Sequence, residues 1–112
     1  MTIIRPAFLA DTDEISRLGR GVAERIPVRH TFVAESCDGI VAVAVAIPEN
    51  GVHYLGSVVV KEDLRGSGIG RRLLEYIRNA VGTKLVAICT DASVGFYESL
   101  GYKPFGVVME SE

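Results

Sequence analysis

Between Arg65 and Arg72 the chain gathers groups that suit an anion. The run reads Arg-Gly-Ser-Gly-Ile-Gly-Arg-Arg. Gly66, Gly68 and Gly70 leave the backbone bare, and Ile69, Leu73, Leu74, Ile77 and Val81 follow at the spacing of one helix face. N–H groups at a helix start point outward with a partial positive charge, which is how a backbone cradles a phosphate or pyrophosphate. Arg65, Arg71 and Arg72 add full charges. Just before the loop, Val58-Val59-Val60 are β-branched and read as the end of a strand. Two similar loops are excluded. A P-loop ends in Gly-Lys-Ser/Thr, and this one ends in Gly-Arg-Arg. A dinucleotide fingerprint needs Gly-x-Gly-x-x-Gly, and three residues beyond Gly68 stands Arg71. A plain strand-to-helix turn remains as the alternative, and the helix start and the arginines favour anion binding.

With its flanking valines and leucines, Arg65-x-x-Gly68-x-Gly70 resembles the acetyl-coenzyme A signature of the GNAT N-acetyltransferase superfamily. A second block, Phe96-Tyr97-Glu98-Ser99-Leu100-Gly101-Tyr102, resembles the C-terminal signature of the same family. The resemblance implies transfer of an acetyl group from acetyl-coenzyme A to a primary amine, with the uncharged amine attacking the thioester directly. It places the pyrophosphate on Arg65, Gly66, Ser67, Gly68, Ile69, Gly70 and Arg71, chiefly through the N–H groups of Gly66, Gly68, Ile69, Gly70 and Arg71. It places the pantetheine arm along the main chain of Val58 and Val60, as an added strand. Tyr97 falls at the position of the general acid that protonates the departing thiolate. Thr90 stands where many relatives carry an asparagine that touches the cofactor, and its hydroxyl would substitute with a shorter reach.

The general base stays open. Relatives often carry a glutamate on the fifth strand, and the matching position here falls at or near Leu85. His53, Tyr54, Glu35 or a water chain are the alternatives, and of these a histidine has the most suitable ordinary pKa. Glu62 and Asp63, beside the loop, read as solvated. No His/Cys/Asp/Glu spacing suggests a metal site, and none is expected.

These residues need elements to hold them. Thr2–Phe8 reads as a short strand in which Pro6 removes a ladder donor. Asp11-Thr12-Asp13-Glu14 starts a helix that runs to about Arg25 and ends before Pro27. His30–Glu35 is a strand, Ser36-Cys37-Asp38-Gly39 a hairpin turn, and Ile40–Ile47 an apolar strand buried on both faces. Pro48-Glu49-Asn50-Gly51 is a second turn. Val52–Val60 feeds the glycine loop, whose helix runs to about Val81 with Gly82 closing it. Lys84–Thr90 is a buried strand, Asp91-Ala92-Ser93 caps a helix ending near Leu100-Gly101, and Tyr102–Met109 is a last strand interrupted by Pro104. The order β-α-β-β-β-α-β-α-β predicts an α/β (α+β) domain over residues 1–112: a mixed, mostly antiparallel twisted sheet of about six strands with helices on both faces. The GNAT pattern has two helices between the first two strands, and this chain has room for one. The wall they form around the acceptor is therefore short, and a homodimer would complete it.

Composition narrows the partners. A net charge of −2 gives no support for nucleic-acid binding, and no apolar run is long enough for a membrane span. Cys37 and Cys89 read as free thiols in a reducing cytoplasm. The expectation is a cytoplasmic N-acetyltransferase acting on a small amine or amino acid. Its alternatives are a protein N-terminal or lysine acetyltransferase, and a non-catalytic acetyl-coenzyme A sensor or partner subunit.

Overall fold

The computed structural model describes residues 2–18, 28–88, 91–105 and 108–110. The elements are β1 (Ile3–Pro6), α1 (Thr12–Leu18), β2 (Thr31–Ser36), β3 (Gly39–Glu49), β4 (Val52–Val60), α2 (Ile69–Val81), β5 (Leu85–Ile88), α3 (Asp91–Ser99), β6 (Lys103–Phe105) and β7 (Val108–Glu110). They build a seven-stranded sheet in the order β1-β2-β3-β4-β5-β7-β6. Among the paired strands only β4 and β5 run parallel, because α2 crosses over between them.

The mixed, mostly antiparallel sheet follows the expected pattern, with two local differences. The stretch 102–109 is two short strands rather than one. The second of them, β7, lies between β5 and β6, and β6, which carries Pro104, is an edge strand, where proline is tolerated. Pro48 is in β3 and not in a turn, and the turn narrows to Asn50-Gly51, both at positive φ (52° and 83°). The backbone geometry explains why Pro48 is tolerated. The His53 N–H donates to the Lys84 carbonyl (3.0 Å), so His53 faces β5, and its register partner Pro48 faces away from β4. On that side β2 ends at the Thr31–Val45 pair, so no strand needs a donor from Pro48.

The two faces of the sheet carry separate cores. On one, Ala7, Ile15, Val33, Ile40 and Val43 pack under α1. On the other, Ala42, Ala44 and Ala46 of β3 leave room for Leu73, Leu74 and Ile77 of α2. Small residues on the strand and large ones on the helix bring α2 close to the sheet. At its far end Gly82 adopts a left-handed conformation (φ 69°) and its N–H closes on the Arg78 carbonyl at 3.0 Å. The continuation of α1 expected to about Arg25 lies outside the described residues, as do Cys89 and Thr90 at the predicted end of β5; Lys84, its predicted first residue, precedes the strand. No helix among the described residues is long and apolar enough to cross a membrane.

The β1 end is tied down electrostatically. Arg5 donates to Asp11 (2.8 Å) and to Glu35 (3.2 Å), and Asp11 also accepts the Phe8 N–H at 2.7 Å. The bond from Arg5, with a further one from the Phe8 N–H, holds the Asp11 carboxyl below the usual carboxylate range despite its burial.

Two expectations follow. Leu73→Ala, at a fully buried site, lowers the unfolding free energy by about 2–5 kcal/mol in a urea titration. Asp11 has a depressed folded pKa, so its contribution is fully present above the ordinary carboxylate value of about 3.9 and is lost as pH falls through the folded value. Stability of Asp11→Asn therefore depends less steeply on pH below about 4 than that of the parent protein, measured by thermal melts across that range.

Candidate functional site

The site begins where two strands part. Among the described residues β4 pairs with β5 at His53–Leu85, Tyr54–Val86 and Leu55–Ala87. On its other side β4 keeps its pairing with β3, but the register jumps from Ala46–Leu55 to Val45–Ser57, which leaves Gly56 as an extra residue. Such a bulge bends the strand that carries it. Beyond it β4 runs on to Val60, with no β5 partner among the described residues. The opening is a cleft of about 580 Å³. Val58, Val59 and Val60 form one wall, and Phe96, Tyr97, Ser99 and Leu100 of α3 and its end form the other. Leu64, Arg65, Gly66, Gly68, Gly70 and Arg71 line the end towards α2.

Two hydrogen bonds give the orientation of the free strand edge. The Lys61 N–H donates to the Val41 carbonyl of β3 at 2.8 Å, and the Val60 carbonyl accepts from Arg65 Nε at 3.3 Å. Backbone groups alternate along a strand, so Lys61 and Val59 face β3, and Val60 and Val58 turn their N–H and C=O groups into the cleft. Those are the two residues expected to present their main chain.

The glycine turn is built as the sequence suggests, with one difference in purpose. Gly66 and Gly68 sit at positive φ (81° and 89°), and a Cβ on either would meet nothing within 4 Å. Left-handed backbone favours glycine there, and the space above both is open for a phosphate. Gly70 is different: a Cβ on it would lie 3.1 Å from the Phe96 ring. The third glycine of the motif therefore makes room for an aromatic ring. The first helical bond runs from the Arg72 N–H to the Gly68 carbonyl (3.1 Å). The N–H groups of Ile69, Gly70 and Arg71 come before it and have no partner within the helix. A pyrophosphate fits this donor set. The 3-10 turn Glu62–Leu64 and the Ser67 N–H donating to the Leu64 carbonyl (3.2 Å) fix the loop leading in.

The side chains divide differently from the main chain. Ser67 turns its hydroxyl back to the Leu64 carbonyl, and Ile69 is buried in the core, so these two offer backbone only. Arg71 reaches the Ser99 carbonyl (2.8 Å), and Arg72 reaches that of Thr2 (3.3 Å). Of the three arginines, Arg65 and Arg71 line the cleft. Thr90 lies outside the described residues.

Tyr97 is 7% exposed and still borders the cleft. Its ring is 5.1 Å from that of Phe96 and 5.3 Å from that of Tyr102. Burial, with a smaller effect of Tyr97, pushes the Tyr102 phenol up to about 12, so Tyr102 is neutral at ordinary pH. Phe96 and Leu64 are lining residues that motif reading did not single out. Phe96 was visible only as an aromatic beside Tyr97, and its exposure of 37% marks it as more than core.

The base candidates are spread out. His53 Nδ1 bonds the Thr83 hydroxyl at 2.6 Å, by the far end of α2. Glu35 is paired to Arg5. Leu85 is fully buried. Tyr54 lies two residues before the bulge, and since Leu55 packs towards α2, Tyr54 faces the opposite side of the sheet.

Solved structures share this fold. The chain is similar to N-acetylglutamate synthase from Neisseria gonorrhoeae, complexed with coenzyme A and N-acetyl-glutamate, at a TM-score of 0.78 and 20% identity over 92% of its own length. It spans only 28% of that protein. A GNAT family acetyltransferase from Brucella melitensis in complex with acetyl-CoA matches at a TM-score of 0.72 and 23% identity, covering 99% of this chain and 87% of that one. An aminoglycoside 6'-N-acetyltransferase complexed with coenzyme A matches at 0.79 and 21% identity, covering 97% and 96%. No match is found among curated protein sequences. The family model described as "Acetyltransferase (GNAT) domain" matches residues 27–104, which include the strand edge, the glycine turn and α3. A match over well over half of the chain settles membership, and the protein belongs to the GNAT acetyltransferase family.

Proposed function

We propose that the chain, acting as one domain over residues 1–112, is an N-acetyltransferase that moves an acetyl group from acetyl-coenzyme A to the primary amine of a small molecule or amino acid. The observation that carries this reading is the parting of β4 from β5. It leaves the edge of Val58 and Val60 facing a cleft, with the open glycine turn at one end and Tyr97 on the opposite wall.

In this reading the N–H groups of Gly66, Gly68, Ile69, Gly70 and Arg71 hold the pyrophosphate. The main chain of Val58 and Val60 orients the arm as an added strand, which fixes the reacting carbonyl relative to the acceptor. Acetyl-coenzyme A supplies an activated thioester when bound. Tyr97, held between Phe96 and Tyr102, donates its phenolic proton to the thiolate as it leaves. The apolar lining by Val58, Val60, Leu64 and Leu100 limits water around that transfer. The amine attacks uncharged, and the proton it loses passes to water. The family resemblance assigns part of the acceptor wall to the segment between β1 and β2, of which residues 19–27 lie outside the described set. The short link there supports a homodimer, and the thiols and charge balance support a cytoplasmic location.

One observation favours a second reading, an acetyl-coenzyme A sensor or partner subunit. His53 and Glu35 are both committed to other side chains, and the family's usual base position is an apolar, buried Leu85. A thiol-release assay over a panel of amines and amino acids separates the two. Release with some acceptor supports the enzyme, and binding without release on any of them supports the sensor.

Two substitutions test the parts. Gly68→Glu fills the phosphate space and adds like charge, so acetyl-coenzyme A affinity in titration calorimetry falls by about 100-fold or more. Gly68→Ala carries the backbone strain alone and loses only about tenfold. Equal losses in the two variants would remove the phosphate from the turn. Tyr97→Phe lowers kcat by about 100-fold or more and leaves the cofactor Kd within about threefold. An unchanged kcat would remove Tyr97 from proton transfer.

A further inference from the structure

α3 carries Tyr97 in its last turn, and the carbonyls of a last helical turn lack partners within the helix. Here each of the four has a partner. The Phe96 carbonyl accepts the Ser99 hydroxyl (2.6 Å). The Tyr97 carbonyl accepts the N–H groups of Leu100 (3.1 Å) and Tyr102 (3.0 Å). The Glu98 carbonyl accepts the Gly101 N–H (3.0 Å), with Gly101 in the left-handed region (φ 87°). These three are local. The fourth is not: the Ser99 carbonyl accepts Arg71 Nη2 at 2.8 Å, from a residue 28 positions away in the first turn of α2. A guanidinium at a helix C-terminus is also favoured by the helix dipole.

A second contact joins the same two turns. The Phe96 ring sits so close to Gly70 that a Cβ there would approach it to 3.1 Å. Arg71 and Gly70 are neighbours on α2, and Ser99 and Phe96 lie one turn apart on α3. The two contacts therefore fix both the distance and the tilt of α3 against the start of α2. Tyr97 sits between them on α3 and borders the cleft.

We propose that Arg71 is a positioning residue whose guanidinium holds the last turn of α3, and with it the Tyr97 phenol, against the turn that meets the pyrophosphate. Its backbone N–H serves the phosphate, and its side chain serves the proton donor. The cofactor loop and the proton donor are thereby one rigid unit. A lysine in its place keeps the charge and one donor but not the planar fork, so it holds the turn only in part. The catalytic half of this inference rests on the reading of Tyr97 as the proton donor, and the structural half does not.

The test has two arms. In the first, protein labelled with 3-fluorotyrosine gives one fluorine resonance for each of Tyr54, Tyr76, Tyr97 and Tyr102, assigned by Tyr→Phe substitutions. Arg71→Met shifts or broadens the Tyr97 resonance and leaves Tyr54 in place, and Arg71→Lys shows a smaller change. A Tyr97 resonance that does not respond in either variant overturns the proposal, whatever the activities are. In the second, Arg71→Met lowers kcat at saturating acetyl-coenzyme A by about tenfold with the Kd nearly unchanged, and adds nothing in a Tyr97→Phe background. A weakened Kd with kcat intact would make the guanidinium a phosphate ligand instead, and an equal loss in both backgrounds would separate it from Tyr97; either overturns the proposal. If Tyr97→Phe alone leaves kcat unchanged, the proton-donor reading fails, and the fluorine spectra still decide whether Arg71 holds Tyr97.

Discussion

The constraint on which the rest of this structure depends is that β4 must serve two neighbours and satisfies only one of them along its full length. Its bonds to β3 continue to Val60, while its pairing with β5 among the described residues ends at Leu55. A strand that leaves a sheet exposes backbone groups at a cost comparable to a lost hydrogen bond for each one buried without a partner. The extra residue Gly56 sets the point of departure, and the Arg65 side chain already meets the exposed Val60 carbonyl. An incoming chain of amides would meet the same need, and for this reason the parting reads as a binding site and not as a defect in the sheet.

α2 contributes by being rigidly placed. Its apolar face lies on the alanines of β3, so its N-terminal turn is aimed by the core of the domain. The helix start that gathers unpaired N–H groups is held by the same packing that stabilises the fold. α3 is attached differently: its last turn is fastened through Tyr97, Glu98 and Ser99 carbonyls, one of them by Arg71, and through the Phe96 ring on Gly70. Two elements distant in sequence thereby meet across one cleft with a fixed separation.

Much of this was legible in the residues. The 3.6-residue period from Ile69 to Val81, the β-branched run before the glycines and the two family blocks led to the sheet, the crossover helix and the two walls of the cleft. What was not legible depended on three-dimensional partners. Pro48 looks like a turn residue, and only the end of β2 at Thr31 explains why a strand accepts it. The purpose of Gly70 was hidden because its neighbour Phe96 is 26 residues away. Arg71 and Arg72 were legible only as charges beside the loop, because composition shows charge and not direction. In the structure Arg71 is hydrogen-bonded to the Ser99 carbonyl of α3 and Arg72 to the Thr2 carbonyl.

The central claim is that a coenzyme A molecule lies along the free edge of β4 with its pyrophosphate on the glycine turn. It is tested most directly by following backbone amide resonances of nitrogen-15-labelled protein during titration with acetyl-coenzyme A. The account predicts the largest shifts at Gly66, Gly68, Ile69, Gly70 and Arg71, with a second group at Val58 and Val60 and little change at Val59. Shifts confined to other surfaces, or none at saturating cofactor, would contradict it.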